Sequence, residues 1–103
     1  MSASFSYKIT TENEQFTFNF STVMSTGETI SLATSTVEVV SGTDASPTAI
    51  LVGSPSINGQ VVSQRISGGL DGVIYRIQVT ATTSATNVFT IVADLPVLAP
   101  LSV

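Results

Sequence analysis

The chain contains no cysteine, no histidine and no tryptophan, and among its 103 residues only Lys8, Arg65 and Arg76 are basic. Without cysteine there is neither a disulfide framework nor thiol chemistry. Without histidine a Ser-His-Asp arrangement is impossible, however many serines are present, and the commonest general base is missing. Three scattered cations fall short of the clustered Lys and Arg that phosphate recognition needs, so no nucleic-acid partner is expected. Long apolar runs are missing too. Stretches such as Ala49–Val52 are four or five residues long, against the roughly 20 needed to span a bilayer, and no membrane role is expected. The opening Met1-Ser2-Ala3-Ser4-Phe5-Ser6 has neither the basic nor the apolar region of a secretory signal, which points to the cytoplasm in which the chain is made.

What is present is mostly Ser, Thr and small aliphatics. About thirty residues carry a hydroxyl, hydrophobic residues make up 43%, and charged residues only 10%, well under the usual quarter. The apolar content is enough to fold one core at this length, and a single domain over residues 1–94 is expected. A surface so poor in charge, with a net charge of −4, associates readily with partners.

Apolar and polar residues alternate with a period of two, which is the strand signal. Gln15–Phe20 places Phe16, Phe18 and Phe20 on one face and Gln15, Thr17 and Asn19 on the other. Val73–Thr82 does the same with Val73, Tyr75, Ile77, Val79 and Ala81 inward. Further strands are expected at Thr34–Val40, Thr48–Val52, Gln60–Ile66 and Asn87–Ala93, with an opening strand near Ser4–Ile9. Turn chemistry separates them at Thr26-Gly27-Glu28, Ser41-Gly42-Thr43-Asp44, Gly53-Ser54-Pro55, Asn58-Gly59 and Leu70-Asp71-Gly72. No window carries a capped apolar stripe of helical period. About seven short strands in a chain of this length indicate an all-β, immunoglobulin-like antiparallel β-sandwich, with a small closed barrel as the alternative.

The tail from Leu95 to Val103 is apolar and interrupted by Pro96 and Pro100. Because proline cannot donate to a ladder except at an edge, residues 95–103 are expected to form an extended arm. Leu95, Val97, Leu98 and Leu101 would then be available to a neighbouring subunit.

The search for chemistry turns up little. Glu12 and Glu14 could sit side by side, but in the polar run Thr10–Gln15 they read as a solvated loop. Asp44 is a single carboxylate where calcium wants several oxygens. Gly68, Gly69 and Gly72 fall before a strand rather than a helix, so they read as hairpin glycines and not as a phosphate cradle. No catalytic residue, metal site or cofactor is expected. Arg65 and Arg76 flank the Gly68–Gly72 turn on adjacent strands and are the candidate polar contacts to a partner, since arginine is favoured at interfaces.

The order of segments carries a resemblance. Phe16-Thr17-Phe18-Asn19-Phe20 is followed by Gly27-Glu28-Thr29-Ile30, a β-branched strand at Thr36–Val40, and Ser67-Gly68-Gly69-Leu70-Asp71-Gly72-Val73-Ile74-Tyr75. This succession resembles the small immunoglobulin-like virion proteins of tailed phages known as fibre–tail adaptors, over roughly Phe16 to Ile91. The resemblance implies a non-enzymatic structural protein of the virion, assembled in the host cytoplasm. It also implies an oligomeric ring of copies that docks tail and fibre proteins. Capsid decoration or a head-fibre protein is the alternative on the same fold. A carbohydrate-binding or adhesin domain is the alternative from another class, with Tyr7 and Tyr75 the only tyrosines to serve it.

Overall fold

The computed structural model describes residues 2–4 and 8–100. Its strands are β1 (Ser2–Ser4), β2 (Lys8–Ile9), β3 (Asn13–Asn19), β4 (Ile30–Ser41), β5 (Leu51–Asn58), β6 (Val61–Ser67), β7 (Ile74–Thr83) and β8 (Val88–Leu98). A single 3-10 turn, Pro47–Ile50, precedes β5. The protein is all-β and folds as a two-layer sandwich. One sheet runs β1-β8-β7-β4 with β2 also on β8, and the other runs β3-β6-β5. Because β1 and β2 lie in turn along the same edge of β8, they occupy one strand position, and the sandwich has seven.

The two most regular alternations are where the sequence puts them. In β7 the inward residues Tyr75, Ile77, Val79 and Ala81 are fully buried, while Arg76 and Gln78 face out. In β3 Phe18 is buried and the following Phe20 closes the core below it. Opposite them Val62 and Ile66 of β6 and Ile91, Ala93, Leu95 and Val97 of β8 complete a single apolar cluster.

Four features depart from the sequence reading. First, β1 and β2 pair with β8 in parallel, so the sheet is mixed and not wholly antiparallel. The part of the expected opening strand at residues 5–7 lies outside the described residues. Second, residues 47–50 coil as a 3-10 turn and the strand starts at Leu51. It runs straight through Gly53-Ser54-Pro55, the expected turn, as a bulge between Val52 and Ser56. Gly53 takes φ +68°, and the proline is tolerated because β5 is an edge strand. The amide of Gln64, wholly buried, fills the bulge. Its Nε2 donates to the carbonyls of Arg65 at 2.9 Å and of Val52 and Gly53 at 3.3 Å.

Third, β6 and β7 belong to different sheets, so the Gly68–Gly72 segment is a crossover between layers and not a hairpin. Its three glycines do take positive φ, +75°, +99° and +81°. Fourth, β8 continues through Pro96 to Leu98, with Leu95 and Val97 in the core. Pro96 fits a strand interior because its nitrogen faces away from β7. The next residue, Val97, is the one whose N–H donates across to β7's side, to the Val73 carbonyl at 3.0 Å, so Pro96 costs that ladder no donor.

Candidate functional site: the two ends of the sandwich

The molecule measures 48 × 25 × 22 Å, so its ends are well separated along strands of up to 12 residues. Each end is tied together by a buried ionisable group; the sequence places Tyr75 in the core, and the partners of both groups come only from the structure.

At one end the β3–β4 loop meets the β5–β6 and β7–β8 turns. Glu28, only 7% exposed, is the knot. Its Oε1 accepts the Ser25 N–H at 2.9 Å. Its Oε2 accepts the Thr83 hydroxyl and the Asn87 amide, the latter at 3.0 Å. Gln60 adds donations to the carbonyls of Ser25 and Glu28 at 3.0 and 2.9 Å. The backbone joins the same elements, from Ser84 N–H to the Thr29 carbonyl at 2.7 Å and from Ile30 N–H to the Gly59 carbonyl at 3.0 Å. The Gly27-Glu28-Thr29-Ile30 segment is therefore a structural clasp.

At the other end stands a corner built on Tyr75, fully buried at the start of β7. Its hydroxyl accepts the Leu70 N–H at 2.9 Å and donates to Asp44 Oδ2 at 2.6 Å. Asp44 Oδ1 also accepts the Ser46 N–H at 2.9 Å. Gly69 lets the ring close: a Cβ there would lie 3.1 Å from both Val97 methyls and 3.4 Å from the ring edge. The Ser-Gly-Gly-x-x-Gly-x-x-Tyr pattern thus encodes a tyrosine corner, in which a hydroxyl returns to backbone a few residues upstream. Beside it Lys8, also wholly buried, donates from Nζ to the carbonyls of Gly68 at 2.7 Å and Ile9 at 2.8 Å. That pins the N-terminal strand to the crossover.

The shifts in acidity follow from these contacts. The Thr83 hydroxyl first, then the Ser25 N–H and the Asn87 amide, hold Glu28 below the usual carboxylate range. Tyr75 first and Ser46 second do the same for Asp44, and the Arg76 hydrogen bond does it for Asp94. Burial, seconded by Asp44, pushes the Tyr75 hydroxyl up. Burial also lowers Lys8, with Glu12 and Glu14 opposing.

A depressed carboxylate binds fewer protons when folded than when unfolded. Its stabilisation is therefore complete above the unfolded value, near pH 4, and lost as pH falls through the folded one. Denaturant midpoints should hold steady from pH 7 to about 5 and then fall steeply in acid. Glu28→Gln should start lower at pH 7 and show a shallower acid decline. Parallel pH curves for the two proteins would mean the clasp does not carry the effect.

The candidate contact residues are not brought together. Arg65 lies on the outer face of the three-stranded sheet, donating to Asn13 Oδ1 at 3.1 Å and Gln15 Oε1 at 3.3 Å. Arg76 lies on the outer face of the other sheet, paired with Asp94 at 2.9 Å and with Glu38 at 3.9 Å. Placing them on adjacent strands assumed a β6–β7 hairpin, and the crossover sends the two side chains to opposite faces. Leu95 and Val97 are internal, and their burial, 0% and 1% exposed, removes them from any outward contact. Leu98 is 40% exposed at the end of β8, and Leu101 lies outside the described residues. Past Leu98 the Ala99 N–H is held by Asp71 Oδ1 at 2.8 Å. A test of a C-terminal arm must therefore begin at Ala99, since a deletion from Pro96 removes core. Glu12 and Glu14 are exposed, and Glu12 caps its turn by accepting the Ile9 N–H at 2.9 Å.

Charge is divided unevenly between the ends. Glu38, Arg76 and Asp94 form one cross-strand row toward the Tyr75 end. Arg65 pairs in register with Gln15, next to Glu14, in the same half of the other sheet. Lys8, Glu12, Asp44 and Asp71 sit in the turns and the edge strand at that end. The opposite half holds Glu28 alone, and it is enclosed. Among the described residues no group of three or more acidic or other ligating side chains is placed to hold a metal ion.

The fold is thus an all-β two-layer sandwich whose loops are tied at one end by Glu28 and at the other by Tyr75, Asp44 and Lys8. Residues 8–95 match the family described as podophage GP4 fiber-tail adaptor protein gp77, and the chain belongs to that family. No curated protein and no solved structure matches it. Membership supports a structural role as a phage fibre–tail adaptor, a component of the virion.

Proposed function

We propose that this chain forms an oligomeric, immunoglobulin-like adaptor ring in the phage tail, docking tail and fibre proteins through shape-complementary surfaces and without catalysis. The observation that carries this reading is the family match across residues 8–95. The strand orders β3-β6-β5 and β4-β7-β8 support it, being the B-E-D and C-F-G orders of an immunoglobulin sandwich, as does the tyrosine corner at the head of β7. The fate of the charged side chains supports the absence of catalysis. Glu28, Asp44, Asp94, Arg65, Arg76 and Lys8 are each committed to hydrogen bonds within the fold. A general acid or base has to be free to exchange a proton with a substrate.

Counting copies of the chain in purified phage particles by quantitative mass spectrometry tests the proposal. A closed ring requires a small fixed number of copies, set by the rotation between neighbours. A count that scales with the capsid lattice supports decoration instead. Absence from the particle removes the adaptor reading and favours a glycan-binding domain.

A further inference from the structure

Among the described residues, the half of the sandwich around the Glu28 clasp has no exposed charged side chain. From the clasp, β4 runs to Thr36 and β8 to Ala93 without an ionisable residue, and β7 is uncharged from Thr83 back to Ile77. In the second sheet β5 has no charge at all, and the paired segments of β3 and β6 have none between Phe16–Asn19 and Val61–Gln64. Four large apolar side chains stand exposed in this half, Val23 at 36%, Leu32 at 58%, Ile57 at 39% and Val88 at 61%. Leu32 and Val88 flank Thr82 in one cross-strand row on the outer face of β4-β7-β8, in line with Thr34, Thr80 and Thr90 in the next.

We propose that this charge-free half is the surface through which copies of the chain contact one another. The inference deepens the ring reading and rests on it.

Charge complementarity selects the occupant. A surface without ions has nothing to pair with a charged partner, and burying an unpaired charge is costly, so the facing surface must also be uncharged. The same half of a second copy is such a surface. Docking it on the opposite, acidic half would strip water from Glu38, Asp94 and their neighbours, whose negative charge Arg76, Arg65 and Lys8 only partly offset. Uncharged half against uncharged half instead leaves the acidic halves in solvent, where their repulsion disfavours the wrong orientation. Area also permits it. A third of the 5655 Å² accessible surface exceeds the roughly 1,600 Å² that two standard-size contacts remove from one subunit. A ring asks each copy for two such contacts.

Sedimentation velocity of the full chain over a wide concentration range tests this. The wild type should associate, and Val88→Lys and Leu32→Lys should each weaken association about tenfold or more. Ser41→Lys, an exposed control in the acidic half, should leave it unchanged. Melting curves identify a variant that has lost its fold, and Leu32→Lys then stands in for Val88→Lys. A wild type that stays monomeric at every concentration overturns the proposal, as does undiminished association of folded Val88→Lys and Leu32→Lys. Either result leaves the adaptor reading to the particle count, since a virion component can bury this end against a different protein.

Discussion

Phe18→Ala is expected to lower the unfolding free energy by about 3–5 kcal/mol. Phe18 is 2% exposed and stands opposite Val62 in the β3–β6 ladder, with Phe20 next on the same inward face. Removing its ring deletes apolar area from the centre of the three-stranded sheet and leaves a cavity, and close-packed neighbours refill such a space only in part. Small domains hold only about 5–15 kcal/mol in total. The variant should therefore melt far below the wild type or fail to accumulate. Urea unfolding followed by far-ultraviolet circular dichroism measures it. Thr17→Ala, on the exposed face of the same strand, should change the midpoint little. Equal losses for the two would mean that β3 does not pack by its phenylalanine face.

Gly69→Ala should cost about 2–5 kcal/mol, because two penalties meet at one atom. The residue sits at φ +99°, where an L side chain is strained. Its new Cβ would also lie 3.1 Å from the Val97 methyls and 3.4 Å from the Tyr75 ring. Neither neighbour can move freely: Val97 is held in β8, and Tyr75 is held by its bonds to Leu70 and Asp44. Gly27→Ala separates the two terms. Gly27 has a similar φ, +84°, but nothing lies within 4 Å of a Cβ built there, so only the backbone penalty of about 1–2 kcal/mol applies. Thermal or urea melts of the pair should place Gly69→Ala clearly below Gly27→Ala. Coinciding curves would show that the corner tolerates the extra carbon and that conformation alone makes these glycines matter.

The gly-tyr signature illustrates how far sequence reasoning reached. The positions Gly68, Gly69, Gly72 and Tyr75 stood out as a turn and a core residue, and the positive φ values were legible because only glycine adopts them without strain. What the turn connects was not legible. A hairpin and a crossover between layers use the same local chemistry, and placing Arg65 and Arg76 together followed from choosing the hairpin. Likewise Pro96 argued for an arm by a rule about ladder donors. The Pro96 nitrogen faces away from β7, since Val97 supplies the donor on that side, and the burial of Leu95 and Val97 outweighs the rule.

Glu28 and Asn87 show the same limit more sharply. They are 59 positions apart, and nothing in the residues around either one indicates that the Asn87 amide donates to the Glu28 carboxylate. Lys8 and Gly68, 60 positions apart, are a second case. The charge-free half is a third: the sequence spreads its few charged residues from position 8 to position 94, and only the folding of strands back on one another collects them at one end.

Period-two alternation determined that the chain is all-β and which face of β3 and of β7 is buried. Those properties depend on residue identity and on spacing along a single strand. The sheet to which each strand belongs, the clasp, the corner and the polarity of the surface were decided only by the tertiary structure. They depend on which distant strands become neighbours, and that choice is made by packing the whole core at once.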